Sequence, residues 1–110
     1  MEEKSLLLQL TGDMPLFKLL DFLVEHKGLE FTKTEIIEGA DVSRASLFNY
    51  WDELEKYTIV TVTRQEGKTK YYTLNSKSLI AQRILDLEKA LISEALEKNA
   101  RKKKEILITA

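Results

Sequence analysis

The side chains able to do covalent chemistry are few and badly spaced for it. His26 is the single histidine and cysteine is absent. Neither a thiolate nucleophile nor a His-x-x-x-His or His-Glu-x-x-His metal site can therefore be built. Gly12, Gly28, Gly39 and Gly67 stand alone at predicted turns, so no glycine-rich loop cradles a phosphate. The acid pairs Glu2-Glu3 and Asp52-Glu53 are sequence neighbours that diverge around a helix and make no acid/base site. The pattern argues against an enzyme, a cofactor and a metal. Donors suited to recognition are better placed. Ser43, Arg44, Ala45, Ser46, Phe48 and Asn49 fall in the first turns of one predicted helix. There Arg44 can offer two donors to guanine, Asn49 can pair with adenine, and Ser46 can reach a base or a phosphate. Ser43 can cap the helix and turn its free amides towards an anion. A second group, Arg64, Lys68, Thr69 and Lys70, surrounds Gly67 and places cations where a nucleic-acid backbone could be met. Other readings stay open: Arg44 as a solvated helix-start residue, Phe48 packed under a hairpin or at a partner surface, and a hairpin tip charged for solubility.

The elements that must hold these groups follow from periodicity and punctuation. Leu6, Leu7, Leu8 and Leu10 form an apolar run too short to separate strand from helix. Asp13 is placed to cap a helix with Pro15 in its first turn and Leu16, Phe17, Leu20, Leu23 and Val24 on one face, ending near His26-Lys27-Gly28. Leu29-Glu30-Phe31 alternates like a very short strand, and Thr32 to Glu35 has capping-box spacing. The short helix that follows carries Ile36, Ile37 and Ala40 and stops at Gly39-Ala40-Asp41. From Ser43 to Tyr57 a third helix puts Leu47, Tyr50, Trp51 and Leu54 on one face, and Ala45, Phe48, Asn49, Asp52 and Lys56 on the other. Tyr57 to Arg64 and Lys70 to Leu74 read as strands joined by the loop Gln65 to Thr69. A long helix is predicted from Ser76.

This order resembles the winged helix-turn-helix domain of bacterial and archaeal transcription regulators, a group that includes MarR-, ArsR- and PadR-like proteins, without separating them. The resemblance is carried by Thr34 to Leu47, in which an apolar pair, a small residue, a turn and an apolar-Ser-Arg-x-Ser-apolar run open a recognition helix. Trp51-x-x-Leu54 and Ile59-Val60 then match the apolar positions before the wing, so the match spans about residues 13 to 75. It implies a mostly α fold with a small β-hairpin and a long C-terminal helix. Residues 1 to 75 are then the expected DNA-binding unit, and 76 to 110 are expected to supply a dimerisation helix and a basic tail. The implied activity is sequence-specific binding of double-stranded DNA, by default as a repressor. Helix Ser43 to Tyr57 would lie in the major groove and the wing Arg64 to Lys70 on its flanks. Asp41 stands where such proteins usually have glycine. The rival reading is a winged-helix adaptor for protein interaction, partition or assembly, favoured by Phe48 and Asp52 on the outer arc.

Charge and composition are compatible with either. The 110 residues carry a net charge of −1, but unevenly. Residues 1 to 41 have four lysines against nine acids, whereas 76 to 110 have eight bases against five acids, which leaves the basic surface to the later part of the chain. Four of those bases, Arg101 to Lys104, either track phosphates or form a solvated end. No apolar run approaches the roughly 20 residues of a membrane span. The start Met-Glu-Glu-Lys lacks a signal-peptide pattern, so the expected location is the cytoplasm. In the last helix Ile80, Ile84, Leu87, Leu91 and Ala95 form one stripe, widened by Leu85, Ile92 and Leu96. That excess predicts a homodimer about a two-fold axis, unless the helix folds back broadly onto its own core.

Overall fold

A computed structural model describes residues 4–109, and the Glu2-Glu3 pair lies outside them. The leucine run resolves as a helix, α1 (Leu6–Thr11). Ser5 starts it: its Oγ accepts from the Leu8 amide at 3.1 Å and donates to Asp21 Oδ1 at 2.6 Å, tying α1 to α2 (Pro15–Glu25). Asp13 does not cap α2. Proline at the first helical position makes Met14 the capping residue, extended at φ −62° and ψ 150°, with no side-chain bond. Asp13 then lies one residue too early to reach the free amides and pairs with Lys4 at 3.3 Å instead. That neighbour holds the Asp13 carboxyl below the usual carboxylate range.

At the end of α2 the His26 ring lies against Phe22 and edge-on to Phe31. Its Nδ1 is 2.8 Å from the Phe22 carbonyl oxygen, which can only accept, so this nitrogen carries the proton. Phe31 exchanges backbone hydrogen bonds with Tyr72, both at 2.8 Å, and is a one-residue bridge to the hairpin. Thr32 and Glu35 form the expected capping box of α3 (Lys33–Ala40). Gly39 must be small, because a Cβ there would overlap the ring of Phe22.

Two helices end in the same way. Asp41 takes a left-handed conformation (φ 56°, ψ 53°), and Val42 N–H reaches back to the Ile37 carbonyl at 3.2 Å. After α4 (Arg44–Lys56), Thr58 has φ 53°, and Ile59 N–H bonds the Leu54 carbonyl at 2.9 Å. Both are Schellman endings built without glycine. The second moves the strand start from Tyr57 to Val60, because Tyr57 and Thr58 close the helix.

The hairpin pairs β1 (Val60–Glu66) with β2 (Thr69–Leu74) in antiparallel register. Glu66 pairs with Thr69, so the supposed loop Gln65 to Thr69 is only the two-residue turn Gly67-Lys68, with Gly67 at φ 59°. Beyond Val60 every residue of β1 is exposed, so no alternation marked its extent in the sequence. A bulge between Val62 and Arg64 leaves Thr63 unpaired.

Leu19, Leu23, Ile36, Leu47 and Leu54 are fully enclosed, and Trp51, Tyr72, Leu74 and Ala81 complete the core. The last helix, α5 (Leu79–Thr109), begins after Ser76 because Ser76 and Lys77 belong to a turn. Asn75 Oδ1 accepts from Lys77 N–H, and Ser78 Oγ accepts from Ala81 N–H. The Arg101 to Lys104 segment is not a tail but part of this helix, with Arg101 paired to Glu97. Ile84 and Leu85 pack on the core, and α1 lies along α5, while the distal half projects. The radius of gyration is 17.0 Å, against about 13 Å for a compact chain of this length. Among the described residues no helix is long and apolar enough to cross a membrane.

Candidate nucleic-acid interface

Helix α4 separates the groups that build the fold from those that face outward. Leu47, Trp51 and Leu54 are buried, with Trp51 edge-on to Tyr72 at 4.8 Å, and Tyr50 is half-buried. Ser43, Arg44, Ala45, Phe48 and Asn49 are exposed, and Ser46 is half-buried. Ser43 Oγ accepts from the Ser46 amide at 3.0 Å, and the two hydroxyls lie 3.0 Å apart. The helix start is therefore capped as expected. Among the described residues Arg44 makes no ion pair, whereas Asp52, Glu53 and Glu55 gather towards the other end. An anion would meet the N-terminal turns of α4 favourably and its C-terminal turns unfavourably.

Phe48 is 52% exposed and is not tucked under the wing. Its ring lies 5.4 Å from Lys33 Nζ, which also sits over Trp51 (5.0 Å) and Tyr72 (5.7 Å). Lys33 was visible in the sequence only as one charge among many. The aromatic floor beneath it comes from α4 and β2, so no local pattern could have singled it out.

In the wing, Lys68, Thr69 and Lys70 are exposed at and beside the turn. Arg64 is placed differently. Its Nε donates to Glu30 Oε1 at 2.6 Å, its Nη1 pairs with Glu66, and its guanidinium stacks on Tyr71 at 3.7 Å. Glu30 also accepts from the hydroxyl of bulged Thr63. The Thr63 hydroxyl and then Arg64 hold the Glu30 carboxyl below its ordinary range, and Glu30 in turn raises the Arg64 guanidinium further. The structure thus brings Ser43, Arg44, Ala45, Phe48 and Asn49 together on one helix, with Lys68 to Lys70 on the hairpin. It sets Arg64 within an ion-pair network beside the bulge, two residues before Glu66 at the turn.

A three-helix core, a helix-turn-helix over α3 and α4, a two-stranded wing and a long closing helix define a winged helix-turn-helix protein. No protein-family model and no curated protein matches the chain. Among solved structures it is similar to Sso10a-2, a DNA-binding protein from Sulfolobus solfataricus, with a TM-score of 0.52 and 21% identity over 82% of this chain and 93% of that one. It is also similar to NadR, solved in complex with 4-hydroxyphenylacetate, with a TM-score of 0.58 and 18% identity over 94% of this chain and 74% of that one. At these identities the likeness establishes the fold.

Proposed function

We propose that the protein is a sequence-specific regulator of transcription that binds duplex DNA and represses by occupying promoter sites. The observation that carries this reading is the division of α4. One face is sealed into the core, while Arg44, Phe48 and Asn49 stand exposed after the Ser43 cap on a helix whose acids lie at its far end. A helix so mounted can enter the major groove by its N-terminal turns, Arg44 and Asn49 reading base edges and Ser43 and Ser46 meeting the backbone. Lys68, Thr69 and Lys70 would touch the flanks. The likeness to a DNA-binding protein from Sulfolobus solfataricus supports the same reading.

Two copies acting together fit best. Along α5, Ile80, Leu87, Ile92 and Leu96 are exposed, and Ile84, Leu91 and Ala95 only partly covered. Of the stripe expected to meet a partner helix, Ile80 and Leu87 stand exposed while Ile84 packs on this chain's own core, and exposed Ile92 and Leu96 extend what is left. Two-fold pairing through these residues would make the operator an inverted repeat. Selection of bound fragments from a random duplex library tests the proposal. Enrichment of one inverted repeat is the expected result; retention of all sequences alike would leave a non-specific binder. No retention at all would favour the adaptor reading, for which exposed Phe48 is the supporting feature.

A further inference from the structure

Between the wing and the start of α3 lies a groove of about 350 Å³, walled by Lys33 and Thr34 on one side and Lys68, Thr69 and Lys70 on the other, with Tyr72 at its base. Every charged residue lining it is a lysine. Two of the nearby acids are engaged elsewhere, Glu35 accepting from the Thr32 amide at 2.9 Å and Glu66 pairing with Arg64, while Glu55, whose charge reaches Tyr72, is not among the lining residues. Among the described residues none of the three lysines takes part in an ion pair. Lys33 is held by the rings of Trp51, Phe48 and Tyr72 instead. A ring quadrupole attracts an ammonium group without cancelling its charge, so the half-buried Lys33 is held in place and keeps its charge for an anion. Three like charges around one groove repel each other, and an anion among them relieves that repulsion. Because Phe48 belongs to the outer face of α4, the groove borders the helix that would read the bases.

We propose that this groove seats one backbone phosphodiester of the duplex, held by Lys33 across from Lys68 and Lys70. The inference rests on the DNA-binding reading and adds to it a contact from α3 that fixes the register of α4 against the strand. Lys33 acts on every sequence alike, since a phosphate carries no base identity.

The test combines a salt series with the emission of Trp51, the only tryptophan. Affinity for a mixed-sequence duplex is measured for the unmodified protein, Lys33→Met, which keeps the stem on the rings, and Lys33→Arg, which keeps the charge. Thr34→Glu supplies a second way to neutralise the groove should Lys33→Met unfold, and circular dichroism reports folding of each. Expected are a Trp51 emission change on binding, and a fall of about one in the slope of log affinity against log salt for Lys33→Met and Thr34→Glu. Lys33→Arg should restore the slope. If both neutralising variants bind with the unmodified slope while Lys68→Ala/Lys70→Ala lowers it, the seat is wrong and the DNA reading stands. If the unmodified protein binds no duplex, the DNA reading itself fails and the seat with it. A Lys33-dependent emission change with inorganic phosphate but not with duplex would overturn DNA as the source of the anion.

Discussion

Thr58 and Asp41 end two successive helices in left-handed conformations, and the two positions differ in cost. Asp tolerates this region, whereas a β-branched residue there is strained. Thr58→Gly relieves about 1–2 kcal/mol of backbone strain, offset by about 0.5–1 kcal/mol of extra freedom in the unfolded chain. A net gain of about 0.5–1 kcal/mol is expected, read as a raised midpoint in urea unfolding. Arg44 and Asn49 make the complementary functional prediction. Alanine at either should cost about 1–3 kcal/mol of affinity for the selected operator and relax preference at particular base pairs. Competition binding against operators changed one pair at a time would show this, and a loss equal for all sequences would remove the base-reading role. At this scale the sequence was legible where chemistry is local. The Ser43 cap and the Thr32–Glu35 box act within four residues and are found as read. The Arg64–Glu30 pair spans 34 positions, and nothing local announces it.

Among the elements, the wing depends most on such a distant contact. Only Val60 of β1 is buried, so packing gives that strand little hold. Glu30 supplies what packing does not, taking the Thr63 hydroxyl and the Arg64 guanidinium together at the bulge. Its carboxyl is held below the ordinary value, so the folded wing gains from ionised Glu30 above about pH 4.3. That gain is lost as the pH falls through the depressed value. Glu30→Gln should abolish this acid dependence, speed amide exchange along β1 and weaken duplex binding modestly for all sequences. Unchanged exchange at Thr63 and Arg64 would show that the wing is set without Glu30. The helices were better read than the strands because a 3.6-residue apolar period survives on a half-buried helix. The half of the hairpin next to the turn is solvated on both faces and leaves no such trace, which is why Gln65, Glu66 and Thr69 looked like loop.

For the whole molecule the decisive joint is that of α5 with the helices beneath it. Asp21 from α2, Glu25 from α2 and Glu88 from α5 converge there beside Ser5, with His26 and Lys27 as the nearby bases. Burial first, and the Asp21 charge second, raise both glutamates. A raised carboxyl favours the folded state when protonated. Docking of α5 is therefore tightest below about pH 4.3 and loosens as the pH rises through the raised values. Glu88→Gln should raise the thermal midpoint near neutrality and flatten its pH dependence. An unaltered melting profile between acid and neutral pH would show that the seam is insensitive to its charges. Further along the same helix, Leu87→Glu with Leu91→Glu should yield monomers with an intact winged core and much weaker operator binding. Sedimentation equilibrium of the unmodified protein as a monomer at micromolar concentration would instead make each copy a reader of one half-site.

The projecting half of α5 also governs how the protein travels through a solvent. The molecule's extents are 64 × 30 × 21 Å, so a single chain sweeps out the volume of a much larger sphere as it tumbles. Friction follows that swept shape rather than mass. On a gel-filtration column calibrated with globular standards, one chain will elute early and pass for an oligomer. Rotational correlation times will be similarly inflated and direction-dependent, with amides of α5 relaxing differently from those of the core. Copy number must accordingly be read from scattering intensity or equilibrium mass, where length along one axis does not enter.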